Sequence, residues 1–142
     1  MKRFNFSLEK VLELRVFEQD QAQNELGKAN AEVARIQREL DEIAVALVNL
    51  AKQYDSTDDF SFHVQSQNYK FFLEQKKEKL LEEIVQAQMI ADEKREIVRD
   101  AMQKVKVLEK MKEKKVSQWK KENQKMEDNA TDEAVTARFD AQ

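Results

Sequence analysis

An apolar repeat runs through the first half of the chain without a break in register. From Leu8 to Tyr54, side chains at alternating steps of four and three residues are apolar or small, and only Arg15 and Gln19 in this series are strongly polar. A 3.5-residue repeat keeps one stripe of a helix against a partner helix in a left-handed coiled coil. This half is therefore predicted to form one long helix, at about residues 8–54.

A second repeat of the same period follows a cluster of turn-forming residues. Asp55 to Asp59 carry short polar side chains that hydrogen-bond locally and favour turns, which predicts a turn at about residues 55–61. From Leu73 to Leu108 the three-four alternation resumes. No proline interrupts it, so helix two is predicted at about residues 62–126.

The two repeats end at matching levels if the chain folds back on itself. A reversal about residue 58 places Leu8, at the start of the first repeat, level with Leu108, the last aliphatic residue of the second. We therefore predict an all-α, antiparallel two-helix coiled-coil hairpin over residues 1–127, with the second helix longer and overhanging the first. Residues 128–142 are acidic and poor in apolar side chains, and are expected to be a frayed or disordered tail.

The composition offers little to catalysis. The chain has no cysteine, one histidine and one glycine, which leaves no thiolate nucleophile, no set of metal ligands and no glycine-rich phosphate loop. A two-helix hairpin also lacks the concave pocket in which catalytic groups converge. We predict a protein that is not an enzyme, with no catalytic, cofactor or metal site and no small-molecule substrate. The single histidine, His63, is interpreted as a surface residue.

Charge and hydropathy bear on partners and location. Of all residues, 37% are charged, and no stretch is apolar and long enough for a signal-peptide core or a membrane span, so we expect a soluble, cytoplasmic protein. The net charge is only -3, and glutamates interleave with the lysines, which argues against nucleic acid as a partner.

Aromatic residues concentrate near the turn. A narrow hairpin end cannot bury all of them, so some close the end of the hairpin while others are exposed and available as anchors for a protein partner. Both roles remain open at this point, and Phe72, beside the apolar series, is expected to be exposed. The cluster comprises Tyr54, Phe60, Phe62, Tyr69, Phe71 and Phe72.

The overhanging part of helix two is basic and is followed by an acidic segment. Residues 109–125 contain seven lysines and three glutamates, whereas residues 126–142 contain five acidic side chains and one arginine. Trp119 stands alone in the basic part. It is either docked on another molecule or covered by Phe4 and Phe6 folding over from the N-terminus.

Three stretches resemble one known family. The opening from Phe4 to Arg15, the aromatic stretch Asn68 to Phe72 after the turn, and Asp132-Glu133-Ala134 near the end are similar to the corresponding parts of the bacterial flagellar export protein family FliJ. The aromatic opening is the most specific of the three, since heptads alone discriminate little. Length and expected architecture agree as well.

The resemblance implies a component of the flagellar type III export apparatus that resembles the central stalk subunit of rotary ATPases. It implies binding to the hexameric export ATPase FliI, to the export gate protein FlhA and to export chaperones, without hydrolysis by the chain itself. It also implies a cytoplasmic protein that is monomeric alone and reaches the inner membrane at the flagellar base only through protein partners.

By position, the resemblance assigns candidate partner-binding residues to two places. The end that carries both termini would face the ATPase, and the aromatic start of helix two would meet the gate. The residues are Phe4, Phe6, Lys112, Lys115 and Trp119 at the first place, and Tyr69 and Phe72 at the second.

Two other classes of protein fit a coiled-coil hairpin. A holdase chaperone of the prefoldin type would need strand-forming segments, and no apolar run of period two is present. A structural coiled-coil tether would be expected to form a parallel homodimer.

Overall fold

The computed structural model describes residues 3–141 and contains two α-helices, α1 (Glu9–Ser56) and α2 (Phe60–Asp140). Both helices pack against each other, no strand occurs in the described part, and the predicted all-α hairpin with a longer second helix is confirmed. Met1, Lys2 and Gln142, which fall within the predicted domain ranges, lie outside the described residues. None of the described helices combines the length and apolar character that crossing a membrane requires.

The chain forms two compact units. One, which we call the loop unit, comprises Gln21–Arg99. Its core contains only residues from the two predicted repeats, and Ile36 is the most deeply buried of them, with 2% of its surface exposed. Burying an aliphatic side chain of this size contributes roughly 1.5–3 kcal/mol to stability. The core residues are Ile36, Ile43, Leu73, Leu80, Ile84 and Ala87.

The other unit, which we call the terminal unit, comprises Met1–Asp20 and Asp100–Gln142. Residues 3–8 precede α1 and are not helical, and we call them the N-terminal strap. Buried apolar side chains in this unit come from the strap and from both helices, but alanine is among them, so the core is thin. They are Phe6, Leu12, Ala101 and Val105.

A three-residue loop joins the helices, and His63 stabilises it. The last carbonyl groups of a helix have no partner within the helix. The Nε2 atom of His63 lies 3.0 Å from the carbonyl oxygen of Tyr54 and 2.6 Å from that of Thr57, so an N–H at this position donates to the end of α1. The imidazole also stacks on the Tyr54 ring at 4.0 Å. His63, interpreted from the sequence as a surface residue, is half-buried, and the folded loop brings these carbonyls to it.

Pairing between the helices differs by a few residues from a reversal about residue 58. Glu9 contacts Lys112, whereas the simple reversal would place it opposite residue 107. At the loop, Tyr54 stacks on His63, one residue from the position that the reversal predicts. Phe60, the first residue of α2, is 80% exposed.

The helix α2 continues to Asp140, beyond the end predicted near residue 126. No proline or glycine follows Met126 to stop it. The hydroxyl groups of Thr131 and Thr136 donate to the carbonyl oxygens four residues earlier, at 2.9 Å in both cases. Every residue from 124 to 141 is exposed, so no described tertiary contact buries this part of the helix. The predicted fraying of residues 128–142 stays a prediction.

Ion pairs along the helix surfaces join residues three or four apart. The guanidinium of Arg35 donates to Glu32 at 2.6 Å and to Glu39 at 3.2 Å. Its hydrogen bonds hold the pKa of Glu32 below the usual value, and the same pairing raises the pKa of Arg35. Such pairs on an exposed helix face add only modestly to helix stability.

Candidate partner-binding surfaces

The N-terminal strap packs against the rest of the terminal unit through a buried phenylalanine. Phe6 is 7% exposed, and its carbonyl oxygen accepts a hydrogen bond from the Glu9 N–H at 3.1 Å, at the point where α1 begins. Because its ring is covered, Phe6 supports the surface around it and is not itself accessible to a partner.

The strap places an aromatic pair on α2. The rings of Phe4 and Trp119 lie 5.9 Å apart between centroids and meet edge to face at 64°, a favourable geometry for aromatic rings. Both side chains are half-buried. Of the two alternatives left open by the sequence, the structure therefore shows the one in which the N-terminus folds over Trp119. The exposed part of this pair remains available as an apolar anchor.

An ion pair joins the start of α1 to the basic part of α2. The ammonium group of Lys112 lies 2.8 Å from Oε2 of Glu9 and donates to Oε1 at 3.0 Å. Both side chains are more than one-third exposed, so the pair adds little to stability. Leu12, Lys112 and Val116 line an open groove beside it.

Most lysines of residues 109–125 carry free charge. Lys115 is exposed, and within residues 3–141 Lys112 is the only lysine of this segment that pairs with an acidic side chain. The remaining charges are not neutralised locally, so they attract an acidic surface. They belong to Lys110, Lys114, Lys115, Lys120, Lys121 and Lys125.

A second surface lies near the start of α2 in the loop unit. The rings of Tyr69 and Phe72, three residues apart, stack at 6.4 Å with an interplanar angle of 19°. They are 48% and 59% exposed, so the expectation that Phe72 is exposed is confirmed. Phe71 is exposed as well, but it points away from this pair, since it lies about 160° around the helix from Leu73 in the core.

The structure places the seven candidate residues in two units. In the terminal unit Phe4 contacts Trp119, Phe6 is buried, Lys112 pairs with Glu9, and Lys115 is exposed on the same stretch of α2. Sequence reasoning missed Glu9, the partner of Lys112, because an acidic residue in the first turn of a helix is common and carries no signal of a tertiary ion pair.

The described residues hold no group of three or more His, Cys, Asp or Glu side chains able to bind a metal ion. They present two candidate binding surfaces on helix faces: an aromatic pair in the terminal unit on the lysine-rich stretch of α2, and a stacked aromatic pair in the loop unit. The fold defines a helical-hairpin protein with two candidate surfaces for protein partners.

Comparison with protein families narrows this class. The family model described as the Flagellar FliJ protein matches residues 4–142, which is essentially the whole chain. The chain belongs to the FliJ family and is a component of the flagellar protein export apparatus. Neither a curated protein nor a solved structure matches the chain significantly.

Proposed function

We propose that the chain is a non-enzymatic, stalk-type subunit of the flagellar export apparatus, acting in the cytoplasm at the inner-membrane face of the flagellar base. It binds the hexameric export ATPase FliI through the terminal unit and the export gate protein FlhA through the loop unit. It also binds export chaperones, and it couples or promotes export by holding these partners together.

One observation carries the ATPase assignment. The N-terminal strap holds Phe4 against Trp119, on a segment of α2 in which Lys112 is the one lysine that pairs with an acidic side chain among residues 3–141. An ordered aromatic anchor next to free positive charge is the combination that protein interfaces use for affinity and for steering an acidic partner. The strap fixes this arrangement before binding, which lowers the entropy lost on association.

The test mixes the chain with the export ATPase and measures binding and ATP hydrolysis. Trp119→Ala is expected to weaken binding by about 30-fold, as loss of an aromatic anchor worth about 2 kcal/mol would. Lys115→Glu with Lys120→Glu is expected to slow association. A matched pair in the loop unit, Lys76→Glu with Lys79→Glu, changes the net charge equally and should leave binding unchanged. Unchanged binding and hydrolysis with Trp119→Ala would count against the assignment.

The gate assignment rests on the exposed, stacked pair Tyr69 and Phe72. Tyr69→Ala with Phe72→Ala should weaken binding to the gate protein at least 10-fold. The matched control is Phe60→Ala with Phe71→Ala, which removes two exposed aromatic rings from another face of the same helix. If the control variant loses gate binding while the first variant keeps it, the pair is not the contact.

The structure supports the holdase chaperone and the structural tether less well than the stalk-type subunit. The prefoldin-type holdase has no supporting strand in residues 3–141. A parallel tether is disfavoured because the apolar stripes of α1 and α2 are buried against each other within one chain.

A further inference from the structure

The face of α2 that points away from α1 carries an ordered pattern of charge in the terminal unit. At about 100° per residue, five charged residues between positions 114 and 132 lie on the side of the helix roughly opposite Lys112 and Trp119. We call them the outer stripe. They occur as three lysines followed by two aspartates: Lys114, Lys121, Lys125, Asp128 and Asp132. All five are exposed.

The helix itself does not neutralise this stripe. Lys121 and Lys125 are four residues apart, as are Asp128 and Asp132, and like charges at this spacing repel. Asp128 accepts a hydrogen bond from Gln124 at 3.1 Å, and within the described residues no ion pair joins any member of the stripe to an opposite charge.

The charges of the outer stripe are complementary to those of a second outer stripe that runs in the opposite direction. In an antiparallel pair of α2 helices with a two-fold axis between Met126 and Glu127, Lys121 lies level with Asp132 of the other copy, and Lys125 with Asp128 of the other copy. The symmetry repeats each pair, so four opposite-charge pairs form and no like charges of the stripe face each other. A parallel pair would instead place lysine beside lysine.

Apolar side chains flank the charges in this arrangement. Val135 and Phe139 continue the outer stripe towards the end of α2 and are 60% and 80% exposed. In the antiparallel pair they lie level with residues 118 and 114 of the other copy, where the aliphatic stem of Lys114 can cover the Phe139 ring. The contact spans about 26 residues, or roughly 39 Å of helix.

We propose that the outer stripe binds the outer stripe of a second copy of this chain in antiparallel orientation, forming a salt-sensitive dimer. The N-terminal strap and Trp119 lie on the opposite side of α2, so this contact leaves them in place. The dilute chain stays monomeric, as expected from the sequence, and the dimer forms as concentration rises. The inference does not depend on the proposed function, since its partner is the chain itself.

Sedimentation equilibrium of the full chain over a concentration series tests the dimer. In low-salt buffer the average mass should rise from that of a monomer towards that of a dimer. In about 1 M salt, where screening acts beyond about 3 Å, it should fall back. A mass that stays monomeric at every concentration, or one that does not respond to salt, overturns the proposal.

Two charge-reversal variants test the pairing itself. Lys121→Glu with Lys125→Glu makes the stripe acidic, and Asp128→Lys with Asp132→Lys makes it basic, so each variant alone should dimerise at least 10-fold more weakly than the wild type. Mixed in equal amounts, they should form a heterodimer. The matched control, Lys76→Glu with Lys79→Glu, should dimerise as the wild type does. Far-UV circular dichroism verifies that each variant is helical.

Mixing the two variants distinguishes a loss of charge pairing from misfolding, because a misfolded variant would not bind the other variant. A mixture that does not associate overturns the proposal, and so does undiminished self-association of either single variant.

Orientation is measured independently with a single spin label. The chain has no cysteine, so Ala137→Cys provides one labelling site. An antiparallel dimer separates the two Ala137 positions by about 30 Å along the helix axis. A parallel dimer places them level along the helix axis, separated only across the dimer, and would overturn the inference.

Discussion

The imidazole of His63 stabilises the loop between the helices by hydrogen bonding to its backbone. His63 reaches back to the carbonyl group of Tyr54, which α1 leaves without a helical partner, and to that of Thr57 in the loop, and it stacks on the ring of Tyr54. The end of α1 has no glycine to adopt a left-handed cap, so a side chain takes over this function.

Replacing His63 by alanine removes this donor. We expect His63→Ala to lower the free energy of unfolding by about 1 kcal/mol, because two partly covered carbonyl groups lose their partner. Denaturant unfolding measures the effect. His63→Gln keeps an N–H donor and should recover part of the loss, whereas exposed Val64→Ala should change little. Equal stability of His63→Ala and the wild type would show that the loop does not need the imidazole.

Gly27 is a residue at which the chain can be made more stable. It lies within α1, and a Cβ atom added there meets no heavy atom within 4 Å. Glycine in a helix interior costs about 1 kcal/mol relative to alanine. Gly27→Ala should therefore raise the free energy of unfolding by about that amount, measured by thermal or denaturant unfolding. A decrease would mean that the position needs the backbone freedom of glycine.

At the scale of the helices, stability depends on which face a residue occupies. Ile36 is 2% exposed in the core of the loop unit, whereas Val45, on the same helix, is 61% exposed. Ile36→Ala should cost about 2–4 kcal/mol through lost burial and the cavity it leaves. Val45→Ala should stay within about 0.5 kcal/mol. Similar losses at both positions would contradict the assignment of the core face.

The apolar repeats predicted the helices and their core faces, since a 3.5-residue period determines which side of a helix is buried. They did not determine the loop geometry or the end of α2. The contact of Glu9 with Lys112, five residues from the position that the reversal predicts, depends on how the two helices pack, which no local pattern encodes. The extension to Asp140 was missed because helix propensity does not require an apolar partner.

At the scale of the whole molecule, the two units differ in the size of their cores. The loop unit buries several isoleucine and leucine side chains, whereas the terminal unit buries few large ones. Trp119, the only tryptophan, reports on the terminal unit. Its fluorescence should change at a lower denaturant concentration than the far-UV circular dichroism signal, which reports on both helices. Coincident transitions would show that the chain unfolds in one step.

The candidate surfaces were only partly predictable from the sequence. An isolated tryptophan and a dense aromatic cluster pointed to the right segments. Whether a given ring is covered depends on tertiary contacts that no local pattern encodes. Phe6 is buried by packing, Phe4 contacts Trp119, which lies 115 residues away in the sequence, and Phe60 is left exposed.

The 80% exposure of Phe60 has a consequence for how partners can approach. Phe60 lies about 150° around α2 from the pair Tyr69 and Phe72, so a partner bound to that pair does not have to contact it. A photo-crosslinking amino acid in place of Phe60 would therefore capture partners bound to one face at the start of α2, and the same probe at Phe72 would capture partners bound to the other face.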